Sequence, residues 1–106
     1  MAFTMYDLQR VIAERVKKRK RGSYSVKLLK EGREKCAKKV GEEAIELILE
    51  ATRGTKKRTI AEAADLFYHI LVLLKARGIT LREVEKEFAR RASSKADSRK
   101  SNRRGT

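Results

Sequence analysis

The sequence predicts an all-α fold, a helical bundle of about five helices, from three observations. Proline is absent and glycine occurs only six times in 106 residues, so little interrupts a helix. Ala, Leu, Glu, Lys and Arg dominate, a mixture that suits long helices and leaves little material for strands. Apolar residues recur at spacings of three and four, and glycine stands where those runs stop.

The first helix opens at Thr4, with Asp7 three residues on as a capping box, and carries Leu8, Val11, Ile12 and Val16 on one face. It runs on through residues 15–21, six of them cationic, to a stop at Gly22. Ser23 or Ser25 caps a short second helix over Val26, Leu28 and Leu29, ended by Gly32. A third helix extends from about Arg33 to Thr52, with Cys36, Val40, Ala44, Leu47, Ile48 and Ala51 as its apolar stripe and Gly54 as its stop. The fourth, from about Lys56 to Arg77, is apolar around nearly its whole circumference between Ile60 and Leu74, which predicts a helix buried on all sides. Thr80 and Glu83 form a second capping box that opens a fifth helix through Val84 and Phe88. Residues 1–91 thus form one domain. Residues 92–106 form a basic tail, expected to be disordered. So small a domain has a poor surface-to-volume ratio, and a subunit interface would complete the four-helix core that the fourth helix demands.

The net charge of +14 points to a polyanionic partner: a phosphate-rich substrate, nucleic acid or an acidic surface. Only residues 42–54 run the other way, with four acids against one base. A single cysteine excludes an internal disulfide and fits a reducing compartment. The longest apolar run, Leu66 to Leu74, spans nine residues and is interrupted by His69, well short of the roughly 20 needed to span a bilayer. A cytoplasmic protein with no membrane association is expected.

Chemistry enters with the acids. Glu43 and Glu46 lie three apart on the third helix, and Glu62 and Asp65 three apart on the fourth, so each pair shares a face. Either pair alone also fits an ordinary solvated helix. However, Glu62 and Asp65 have apolar neighbours and few cations beside them. Antiparallel packing of the two helices would bring four carboxylates into one cleft, an arrangement that repulsion forbids unless a cation joins them. Hard oxygen donors in that number suit Mg²⁺, with Mn²⁺ as a substitute. Lys39 and Arg58 each precede an acid by one turn and read either as phosphate clamps or as solvated cations. His69 lies on the Glu62/Asp65 face, as a satisfied core histidine or a substrate contact. Gly41, inside a helix, fits close approach of another helix or of substrate. Tyr24 fits core packing or stacking on a base, and Cys36 fits the core.

Glu43-x-x-Glu46, fifteen residues, then Glu62-x-x-Asp65 matches the ExxE…ExxD signature of the all-α nucleoside triphosphate pyrophosphohydrolases. Within that superfamily, Lys38-Lys39-Val40-Gly41-Glu42-Glu43-Ala44-Ile45-Glu46, Glu62-Ala63-Ala64-Asp65-Leu66-Phe67-Tyr68-His69 and Ser23-Tyr24-Ser25-Val26-Lys27-Leu28-Leu29 resemble the phosphoribosyl-ATP pyrophosphohydrolase family, in the same order along residues 6 to 91. The resemblance implies a homodimeric helical bundle that hydrolyses phosphoribosyl-ATP to phosphoribosyl-AMP and pyrophosphate, the second step of histidine biosynthesis. From their placement, Glu43, Glu46, Glu62 and Asp65 are expected to be catalytic and to hold Mg²⁺, with Lys39, Arg58, His69 and Lys27 as candidate substrate contacts. Glu42 or Glu46 is left to orient or deprotonate the attacking water. Two other functions remain open at this level. One is a MazG-like pyrophosphohydrolase of free (deoxy)nucleoside triphosphates. The other is a basic helical dimer that binds nucleic acid through the 15–21 run and the tail.

Overall fold

The computed structural model describes residues 1–94, among which there are five helices and no strand. They are α1 (Met5–Lys17), α2 (Tyr24–Glu31), α3 (Arg33–Arg53), α4 (Lys56–Ala76) and α5 (Leu81–Ser93). The expected tail lies outside the described residues from 95 on.

Local chemistry sets the boundaries. Both capping boxes form: Thr4 accepts from the Asp7 amide and Asp7 from the Thr4 amide, and Thr80 and Glu83 exchange the same pair of bonds. Ser23, not Ser25, caps α2, because its hydroxyl accepts from the Val26 amide while Ser25 is fully buried. Gly32 ends α2 and precedes α3 at φ 103° and ψ 166°, a conformation that excludes a Cβ. That reversal brings Leu28 and Cys36 together, and the Cys36 thiol meets the Leu28 carbonyl at 3.5 Å. α1 is shorter than the cation run predicts. It stops at Lys17, and Arg19 takes φ 49°. Beyond Val16 no apolar residue anchors the chain to the core, and closely spaced like charges disfavour further helical turns.

The core gathers at one end of the molecule, where Ile12, Leu28, Cys36, Leu71 and Val72 are buried against flanking side chains such as Leu8, Val16 and Tyr68. α3 and α4 form the most extensive contact, an antiparallel hairpin closed by the Thr59 hydroxyl donating to the Glu50 carbonyl. α5 is joined to α1 by Tyr6, whose hydroxyl meets Glu85 and whose ring lies under Arg82, and by Gln9, which accepts from the Leu81 amide.

The sequence predicted α4 buried on all sides. Within one chain only His69, Leu71 and Val72 of α4 are buried. Ile60 and Phe67 are 61% and 47% exposed, as are Ile45 and Ile48 of α3 at 59% and 58%. The short flanking helices α1 and α2 cover the core end of the hairpin and leave its far end bare. At Gly41 a Cβ would meet nothing within 4 Å, so among the described residues no other helix approaches it, and of the two expectations only close approach of substrate is left.

Candidate active site

The α3–α4 hairpin positions the acids. Glu43, Glu62 and Asp65 each offer a carboxylate oxygen within 4.8 Å of the other two. Glu43 and Glu62 are half-buried and Asp65 is exposed. Glu46, expected as the fourth member, lies outside this trio and is exposed. It is still close enough to act on Glu62. The Glu62 carboxyl is raised above its ordinary range by lost solvation, then by the negative charges of Asp65, Glu46, Glu43 and Glu50.

Glu50 was not legible as a site residue, although its spacing, seven after Glu43 and four after Glu46, puts it on their face. It is half-buried, and Arg58 Nε binds its carboxylate at 3.2 Å. Arg58 therefore ties the start of α4 to α3, and its guanidinium faces Glu50 in place of the cluster one turn on. Lys39 Nζ lies 3.3 Å from Glu42 and 3.7 Å from Glu43. Burial works against the Lys39 charge, but Glu42, Tyr24 and Glu43 outweigh it and raise its pKa.

Behind the acids stands a polar, aromatic layer that joins α2 to α4. His69 is buried, and its Nδ1–H donates to the Asp65 carbonyl at 2.7 Å. A carbonyl can only accept, so Nδ1 carries a proton, and in the tautomer this selects Nε2 accepts from the Tyr24 hydroxyl at 3.0 Å. Both ring nitrogens are thus engaged inside the protein. The buried Ser25 hydroxyl meets the Tyr68 hydroxyl, and the rings of Tyr24, Tyr68 and His69 pack together. Burial raises the Tyr24 pKa, against the pull of nearby Lys39 and with the push of Tyr68, Glu43 and Glu31. Burial also raises the pKa of the Cys36 thiol, so it stays protonated.

Lys27 sits apart from the acids. It lines a cleft between the end of α1 and α2 together with Arg19, Lys20, Arg21 and Lys30. Among the described residues no helix is long and apolar enough to cross a membrane.

The carboxylate trio fits a divalent cation on chemical grounds. All its donors are hard oxygens, two are half-buried, and their mutual repulsion is what a cation relieves. Such a group on a helical hairpin, with Lys39 beside it, suits chemistry on a polyphosphate.

Comparison with known proteins identifies the family. Residues 5–92 match the family model described as phosphoribosyl-ATP pyrophosphohydrolase. The chain is 52% identical over 91 residues to phosphoribosyl-ATP pyrophosphatase 1 of Bradyrhizobium diazoefficiens, covering 86% of each chain. It is 48% identical over 87 residues to phosphoribosyl-ATP pyrophosphatase of Paracoccus denitrificans, covering 82% of this chain and 81% of that one. With the enzyme of that name from Azorhizobium caulinodans, identity is 44% over 100 residues, 94% of this chain and 92% of the relative. Residues 5–92 take in the whole hairpin and every acid of the cluster, and on these matches the chain belongs to the phosphoribosyl-ATP pyrophosphohydrolase family.

Proposed function

We propose that the chain is a magnesium-dependent hydrolase that cleaves phosphoribosyl-ATP to phosphoribosyl-AMP and pyrophosphate in histidine biosynthesis. The observation that carries this reading is the convergence of Glu43, Glu62 and Asp65 between two helices whose sequence places the chain in this family. Among divalent ions, Mg²⁺ suits an all-oxygen donor set that leaves room for phosphate oxygens, with Mn²⁺ a workable substitute. When bound, such a cation neutralises charge on the polyphosphate while a phosphoanhydride is cleaved.

The chain's own residues do the rest. Glu43, Glu62 and Asp65 hold the ion. Glu42 is occupied by Lys39, whereas Glu46 is exposed and close to Glu62, so Glu46 orients the attacking water and takes its proton. Attack at the α-phosphorus expels pyrophosphate as one piece. Lys39 meets the phosphates beside Glu43, and Arg58 holds Glu50 and with it the turn end of the hairpin. His69 acts by position: it fixes the Asp65 turn and aims the Tyr24 hydroxyl. A homodimer covers the exposed apolar faces of α3 and α4, and the reduced, buried Cys36 suits work in the cytoplasm.

Phosphorus NMR of phosphoribosyl-ATP incubated with the protein tests the reading. Pyrophosphate should appear with Mg²⁺ and not in its absence. Release of orthophosphate, or turnover indifferent to metal, overturns it.

A further inference from the structure

Phosphoribosyl-ATP carries negative charge at two separated places, the polyphosphate and the phosphate of its additional ribose. The carboxylate cluster and Lys39 deal with the first alone. A second anion site on this chain would separate the substrate from plain ATP, and the molecule has a recess of the right character.

The cleft between the end of α1 and α2 has a volume of about 1070 Å³. Its walls carry Arg19, Lys20, Arg21, Lys27 and Lys30 against one acid, Glu31. Val16, Val26 and Leu29 supply an apolar floor, a lining typical of small-molecule sites. The early end of α1 builds this cleft. After Lys17 the chain turns through Arg19 at positive φ, and the turn is held by the Lys20 amide donating to the Arg15 carbonyl and the Ser23 amide to that of Lys20. The cation run thereby folds back over α2 when a continued helix would have carried it into solvent.

Tyr24 joins this cleft to the acid cluster. It lines the cleft, its hydroxyl donates to His69 at 3.0 Å, and His69 donates to the Asp65 carbonyl. Lys39 and Glu43 are among its charged neighbours. Tyr24 thus bridges the cleft and the acids, so a nucleotide with its polyphosphate at the acids could reach past Tyr24 toward the cations. We infer that the α1–α2 cleft binds the phosphate of the added ribose through Arg21, Lys27 and Lys30, and that it selects phosphoribosyl-ATP over ATP. The inference rests on the proposed reaction. The substrate's phosphoribosyl end supplies the dianion, and the cationic side chains supply charge-assisted hydrogen bonds.

Titration calorimetry with phosphoribosyl-AMP, the product of the proposed reaction, and AMP, which lacks the phosphoribosyl group, tests it on the full chain with Mg²⁺ present. The wild-type protein should bind phosphoribosyl-AMP about tenfold or more tightly than AMP. Arg21→Gln/Lys27→Gln/Lys30→Gln should remove that preference and leave AMP affinity unchanged. Lys27→Arg/Lys30→Arg should retain it. All three positions are exposed, so helicity by circular dichroism should hold, and Lys27→Gln alone serves if the triple variant unfolds. An equal loss for both ligands would mean a general field in place of a subsite. An unchanged preference refutes the cleft outright. Loss of single-stranded RNA binding with phosphoribosyl-AMP affinity intact would assign these cations to nucleic acid and equally overturn the inference. Pyrophosphate release by the wild-type chain separates the two failures: without release the proposed reaction falls, and with release only the cleft does.

Discussion

Asp65→Asn and Glu46→Gln separate two roles that the sequence alone assigned together. Asp65 is exposed, so the isosteric amide disturbs no packing and stability should change by no more than about 0.5 kcal/mol. Its carboxylate is nonetheless one of three with oxygens within 4.8 Å, and on the proposed reading removing it would take away a third of the negative charge that attracts the ion. Metal catalysis of phosphoryl transfer is worth several kcal/mol, and each ~1.4 kcal/mol is a factor of ten, so turnover should fall by about a thousandfold at ordinary Mg²⁺ concentrations. Part of the loss should return as Mg²⁺ is raised. Glu46 lies outside the trio, and as the proposed general base it should contribute about a hundredfold to ten-thousandfold in kcat. Glu46→Gln should therefore lower kcat without shifting the Mg²⁺ concentration for half-maximal rate. Pyrophosphate release measured across a Mg²⁺ titration, with thermal melts of both variants, distinguishes them. If Asp65→Asn unfolds, or if both variants shift the metal midpoint alike, the division into ion-holding trio and outlying base is wrong.

Three further outcomes follow from the geometry. Gly32→Ala puts a Cβ on a residue at φ 103° and ψ 166° and should cost about 1–3 kcal/mol in urea unfolding, with an unchanged midpoint arguing against strain there. Asp7 and Glu87 are both held down to about 2, Asp7 by the Thr4 amide and Arg10, Glu87 by Arg90 and Arg91. Because these pKa values are depressed on folding, their stabilisation is complete above about 4 and is lost as pH falls from there toward 2. The melting temperature should drop across that window, and Asp7→Asn should flatten the drop. Phe67 is 47% exposed in the single chain, so its burial between two copies is worth about 1 kcal/mol per chain, or about 2 per pair. Phe67→Ala should weaken self-association about thirtyfold by sedimentation, and no change would place the interface elsewhere.

Much of the helical order was legible because its signals are local. Thr4 with Asp7, Thr80 with Glu83, and Gly32 and Gly54 act within a turn of themselves, and each does what its spacing foretold. The end of α1 was misjudged because cations are good helix formers singly, while a run of them lacks any apolar anchor. The acid cluster was legible in type and helix, but a face shared at i,i+3 does not say how far each side chain reaches across. Glu46 consequently falls outside while Glu43 does not. The bond between Tyr24 and His69, and the seat of Arg58 on Glu50, join residues far apart or on different helices, where periodicity carries no information. The bare faces of Ile48, Ile60 and Phe67 reflect the limit of one chain: an apolar circumference asks for cover without naming its source.

The polarity of the hairpin has an evolutionary corollary. Ile12, Leu28, Cys36, Leu71 and Val72 cluster toward one end, and the acids lie along the rods leading away from it. Mutational damage to reactivity is thus quarantined from damage to foldability. A descendant that loses its acids still inherits an intact scaffold, free to drift toward new phosphate substrates before any collapse removes it from selection.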